Sequence, residues 1–103
     1  MKTKYFQGGF DKNLSYVIWC EFTNIAAIVD ASVNITEILE TIEANQLVVK
    51  KLLITHTHSD HIYYIDDILY QFPQIQIYSF CNLKMRFGDN VRKLLHHEII
   101  SIG

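Results

Sequence analysis

At 103 residues the chain is long enough for one domain with its own core and too short for two. Half of the residues are hydrophobic and 13% are aromatic, which excludes a disordered composition. The formal net charge is -2 and no basic run occurs, so nucleic-acid binding has no electrostatic footprint. The longest apolar runs, residues 16–20 and 25–29, are too short to span a bilayer, and no membrane partner is expected. Met1-Lys2-Thr3-Lys4 leads into Gln7-Gly8-Gly9 and not into an apolar h-region, so no secretory signal is expected. Cys20 and Cys81 lie far apart, outside any CxxC spacing, and read as small core residues; a cytoplasmic location fits them.

In chain order, residues 4–7 suit a short first strand, ended by Gly8-Gly9. Residues 14–21 and 25–31 read as two further strands, and the short polar join Phe22-Thr23-Asn24 suits a hairpin. Asn34-Ile35-Thr36-Glu37 has the form of a capping box. Behind it Ile35, Ile38, Leu39 and Ile42 mark one face of an amphipathic helix, expected to end with Asn45 as its left-handed residue. Residues 51–55 form a short buried strand. A second helix shows its face in Ile62, Ile65, Leu69 and Phe72 and stops at Pro73. Residues 75–80 alternate as a strand, 91–97 suit a helix or a turn, and 98–102 a last strand. Strand, helix, strand, helix, strand over residues 25–80 predicts βαβ crossovers and partly parallel pairing, an α/β class.

The chemistry concentrates in His56-Thr57-His58-Ser59-Asp60-His61, which holds three of the five histidines and a carboxylate. Imidazole and carboxylate are the ligand types of zinc and related metals. The cluster follows an apolar run at the point where a buried strand gives way to a loop, and rigid sheets position active-site groups at such places. In an extended segment residues i and i+2 point to the same side, so His56 and His58 can aim at one ion. Asp60 and His61 come where the chain must turn and can reach a second point. Four donors exceed what one tetrahedral ion with an open position takes from so short a stretch, so two adjacent ions are the more natural arrangement. The rival reading is surface histidines at a helix N-terminus with Ser59 or Asp60 as its N-cap. Asp60 can cap the following helix and still bind metal, since a carboxylate has two oxygens.

Ile54-Thr55-His56-Thr57-His58-Ser59-Asp60-His61 resembles the HxHxDH signature of the metallo-β-lactamase fold. Ala27-Ile28-Val29-Asp30 is similar to that family's apolar strand ending in an Asp before the first helix. Residues 14–21 followed by 26–30 resemble the glyoxalase II-like branch, whose members hydrolyse thioesters of glutathione and whose relatives include persulfide dioxygenases. The resemblance implies the first half of an αββα sandwich: a mixed sheet with helices on one face, a partial domain over residues 1–103. It implies that His56 and His58 hold a first metal and Asp60 and His61 a second, with Asp60 as the catalytic residue. A bridging hydroxide would attack the substrate carbonyl. The implied cofactor is Zn2+, two ions in the complete fold, with iron or manganese as alternatives. Asp30 matches a position the family uses to brace the metal loop; a plain strand-end Asp making an Asx-type turn is the equal alternative.

Three departures from the family pattern stand out. The family's sandwich is about twice this length, and a third His, a bridging Asp and a final His come later in it. His96 and His97 fall too early to match the third His and read as a solvated pair beside Arg92, Lys93 and Glu98. Ile62-Tyr63-Tyr64 replaces the family's small residues after the last His, so two phenol rings either crowd the metal loop or wall a pocket. Ala31-Ser32 replaces a frequent Pro-Gly. Half a sandwich would leave one sheet face without its usual cover, which predicts self-association through that face or a poorly stable fragment. The expected function is metal-dependent hydrolysis of a small-molecule thioester. The rivals are a non-catalytic fragment or metal-binding module, and an iron-dependent persulfide dioxygenase.

Overall fold

The computed structural model describes residues 1–8, 13–31, 33–54, 64–79, 91–93 and 102. They form six strands and two helices in the order β1 (Lys2–Gly8), β2 (Asn13–Trp19), β3 (Ile25–Val29), α1 (Ile35–Ala44), β4 (Val48–Ile54), α2 (Ile65–Gln71), β5 (Gln76–Ser79) and β6 (Val91–Lys93). The strands lie side by side in sequence order. β1, β2 and β3 pair antiparallel, whereas β3, β4, β5 and β6 pair parallel, giving the mixed α/β sheet expected from the pattern.

Each parallel step from β3 to β5 is a strand–helix–strand crossover, and both steps move the same way along the sheet. Crossovers of one hand then place both helices on one face. The buried side chains agree: Ile38 and Ile42 of α1, with Ile65 and Ile68 of α2, share a single cluster with Phe6, Val17, Trp19, Ala26, Ile28, Leu52, Ile54 and Ile77. Within it Val17, Ile28, Leu52 and Ile77 stand abreast across β2 to β5 and are wholly buried. Each such side chain contributes about 1.5–3 kcal/mol through burial.

The other face carries a second row, Tyr5, Tyr16, Val29, Leu53 and Tyr78, in register across β1 to β5. None of these belongs to the core cluster. Tyr5 is 66% exposed and the other four are half-buried. The Lys51 ammonium lies 5.8 Å from the Tyr78 ring centre on this face, a partial screen over an apolar surface.

Local chemistry sets the element ends. The β2–β3 hairpin closes through the Asn24 N–H to the Cys20 carbonyl, 2.8 Å, with Asn24 left-handed at φ 58. Asn34 caps α1 as predicted, but its Oδ1 takes the amide (2.9 Å) and hydroxyl (2.7 Å) of Thr36, two residues on. The far end of α1 departs from expectation. Asn45 has φ -103, and the left-handed residue is Gln46 at φ 53. The Gln46 amide reaches the Glu43 carbonyl and the Leu47 amide the Ile42 carbonyl, a Schellman closure with Asn45 at the C-cap. Asn45 is drawn into the last turn because its own Nδ2 donates to the Thr41 carbonyl at 2.9 Å.

Several boundaries differ as well. β1 begins at Lys2, β2 ends at Trp19, β3 ends at Val29 and β4 begins at Val48. Val91–Lys93, expected in a helix or turn, is a strand paired parallel to β5 through Ile77↔Val91 and Ser79↔Lys93. The open edge of β5 offers pairing that a three-residue stretch cannot reveal in isolation. The strand expected at 98–102 lies outside the described residues except for Ile102, which is in no strand. Among the described residues no helix is long and apolar enough to cross a membrane.

Candidate metal centre

Because β3, β4, β5 and β6 run parallel, their carboxyl ends at Val29, Ile54, Ser79 and Lys93 share one edge of the sheet. β1 runs the same way as β3, since both pair antiparallel with β2, and its end at Gly8 lies at that edge too. In open α/β sheets ligands bind outside the carboxyl ends of the strands. The chain passes from β4 at this edge directly into residues 55–63, which contain His56, His58, Asp60 and His61. These four predicted ligands lie outside the described residues, as do His96 and His97. Three imidazoles and a carboxylate are a donor set that fits zinc. Among the described residues no group of three His, Cys, Asp or Glu could hold a metal ion.

The described residues do define both flanks of this segment. Asp30 is buried and left-handed at φ 63, a conformation that Asp tolerates better than most residues. Its N–H donates to the Leu53 carbonyl at 2.7 Å, just before the segment. The next residue, Ala31, accepts from the Tyr64 N–H at 2.9 Å, just after it. One dipeptide therefore ties both flanks. The Asp30 carbonyl in turn accepts a 2.8 Å bond from the Ser15 hydroxyl, which is fully buried on β2 opposite it.

α2 begins later than a cap at Ser59 or Asp60 would require. Its N-cap is Tyr64, which makes no side-chain capping bond; Ser59 and Asp60, the capping candidates, lie outside the described residues. Asp66 and Asp67 supply the negative charge that favours its first turn. Of the two phenols following His61, Tyr64 packs against the hydrophobic core, and Tyr63 lies outside the described residues.

Two clefts bear on ligand access. One of about 400 Å³, lined by Phe6, Gln7, Gly8, Val33, Asn34, Thr36, Glu37 and Glu40, opens at the carboxyl edge. A larger apolar one of about 550 Å³ lies at the opposite edge, between the start of β4 and the α2–β5 turn. Position and not size selects the first, because it opens at the same edge of the sheet as the end of β4.

Ser15 and the backbone roles of Ala31, Leu53 and Tyr64 were not anticipated from sequence. Ser15 did leave a trace: with Val17 and Trp19 it occupies the inward positions of β2, and a lone hydroxyl there needs a buried partner.

Comparison with known proteins places these features in context. Residues 8–79 match the model of the metallo-beta-lactamase superfamily. The chain is 34% identical over 74 residues to a probable hydroxyacylglutathione hydrolase of Schizosaccharomyces pombe, covering 69% of this chain and 29% of that protein. It is 32% identical over 64 residues to the hydroxyacylglutathione hydrolase of Legionella pneumophila strain Corby, covering 60% of this chain and 25% of that protein. Among solved structures, a metallo-beta-lactamase from Staphylococcus aureus superposes on 99% of this chain and 30% of its own, with TM-score 0.81 and 20% identity, a likeness of fold. The matched stretches thus span between a quarter and a third of these proteins.

Proposed function

Because the chain belongs to the metallo-beta-lactamase superfamily, on its glyoxalase II-like branch, we propose that it serves metal-dependent hydrolysis of a hydroxyacylglutathione-type thioester. The observation that carries this reading is the tie of Leu53 and Tyr64 to Asp30–Ala31, which fixes both flanks of residues 55–63 at the carboxyl edge.

In this reading His56 and His58 would hold one ion and Asp60 and His61 the other, with Asp60 as the catalytic ligand. Zinc, when bound, polarises a carbonyl and makes water acidic enough to act near neutral pH. The chain's own residues position those ligands. Asp30 braces the segment by holding β4's end, and the cleft of Phe6, Gly8 and Val33 at the same edge of the sheet would receive the substrate. A cytoplasmic location goes with a glutathione thioester substrate. Self-association through the Tyr5–Tyr78 row supplies cover for the second sheet face.

Metal analysis of purified chain, paired with a thioester hydrolysis assay on wild type and His58→Ala, tests the proposal. Bound zinc and a rate lost in His58→Ala are expected, and equal rates in both proteins would refute it. A second reading, a metal-holding module without turnover, draws on Tyr63-Tyr64, two phenols placed just after the predicted ligands in the sequence. Stoichiometric zinc with no hydrolysis across thioester and ester panels would select it.

A further inference from the structure

We infer that Ser15 is a positioning residue for the metal ligands, acting through the backbone of Asp30 and Ala31. This rests on the reading of His56, His58, Asp60 and His61 as ligands.

Ser15 is an odd occupant of its site. It lies on the inward face of β2, in line with Val17 and Trp19, fully buried where an apolar side chain would add more burial energy. Its hydroxyl spends its proton on the Asp30 carbonyl at 2.8 Å. That carbonyl belongs to the peptide joining Asp30 to Ala31. The Asp30 amide holds Leu53 at 2.7 Å and the Ala31 carbonyl holds Tyr64 at 2.9 Å. Asp30 is also left-handed, a conformation a strand end keeps only when its surroundings fix it. A hydrogen bond to the Asp30 carbonyl fixes the rotation of that peptide plane. Three elements, β2, β4 and the start of α2, therefore converge on two residues, and Ser15 contributes a buried side-chain bond to that junction.

Removing the hydroxyl takes one donor from the Asp30 carbonyl and one constraint from that peptide plane. The segment that carries the predicted ligands joins the chain at the two flanks tied to this dipeptide, so loss of the hydroxyl is expected to weaken metal binding before it unfolds the core. Supporting residues behind a metal site typically change affinity by about 10–100-fold.

The test is titration of the full chain with Co2+, following the visible absorption of the bound ion. It compares wild type, Ser15→Ala, Ser15→Thr and Val17→Ala. Val17 is the neighbouring inward position on β2, buried in the core and outside the hydrogen-bonded set, so it controls for general loss of packing. The inference expects Ser15→Ala to bind Co2+ about tenfold more weakly with an altered spectrum. It expects Ser15→Thr, which keeps the hydroxyl, to recover both, and Val17→Ala to retain the wild-type spectrum. Unchanged affinity and spectrum in Ser15→Ala would overturn it, as would a Val17→Ala effect as large as that of Ser15→Ala. If Ser15→Ala does not fold, a folded Ser15→Thr with tenfold weaker binding overturns it instead. A wild-type chain that binds no Co2+ would remove the ligand reading itself, an outcome distinct from the failure of Ser15 alone.

Discussion

The amide of Tyr64 donates to the carbonyl of Ala31 at 2.9 Å, joining the start of α2 to the residue just past β3. One position earlier, the Asp30 amide donates to the Leu53 carbonyl at 2.7 Å. The segment carrying every predicted metal donor is thus bracketed by two hydrogen bonds to adjacent residues of another strand end. That relationship gives the sheet edge a mechanical role, since motion of the Asp30–Ala31 dipeptide moves both flanks together.

The left-handed backbone at Asp30 predicts an order among its substitutions. A Cβ at φ 63 costs about 1–2 kcal/mol for ordinary residues and nothing for glycine. Asp30→Gly should therefore exceed Asp30→Ala in stability by about that amount in urea denaturation. Equal stabilities would show that the backbone there relaxes.

Asn34 offers a cleaner local test. Its Oδ1 satisfies the Thr36 amide in the first turn of α1, and Asn34→Ala should lose about 1 kcal/mol. Asn34→Ser and Asn34→Asp should recover most of it. A loss confined to Ala and absent from both capping residues would be the signature in thermal melts.

At the β2–β3 turn, the Thr23 hydroxyl hydrogen-bonds to the half-buried Cys20 thiol and, with the Thr23 and Phe22 amides, lowers its pKa below the ordinary thiol value of 9.0. Donors favour the thiolate, so removing the hydroxyl must raise the pKa. In a Cys81→Ser background, Thr23→Val should shift the midpoint of iodoacetamide alkylation to higher pH. An unmoved midpoint would assign the effect to the backbone amides.

The face opposite the core predicts association. Ile18 pairs with Ala27 there, half-buried and next to the tyrosine row. Sedimentation of the wild-type chain should grow with concentration, and Ile18→Lys should hold it as a monomer by placing a charge in the contact. Concentration-independent monomer in the wild type would exclude this surface as an interface.

The legible parts of the fold were those written in short-range pattern. Ile35, Ile38, Leu39 and Ile42 announced α1, and alternation announced the strands, because burial repeats with the period of the element. The Schellman closure went to Gln46 and not Asn45 because a side-chain bond to Thr41 decided between two neighbours of similar propensity. Val91–Lys93 became a strand because a free edge of β5 was there to receive it. Neither outcome is encoded in residue type alone.

By itself the sequence determined the α/β class, the parallel crossovers and the capping of α1, and it proposes His56, His58, Asp60 and His61 as metal donors. All of these depend on residue type and on spacings within a few positions. Only the tertiary structure decided that Ser15 and Leu53 meet Asp30 while Tyr64 meets Ala31, and that Ser15 takes an inward place among apolar neighbours. Their hydrogen bonds join residues distant in the chain, and such contacts exist only after the sheet has set its register.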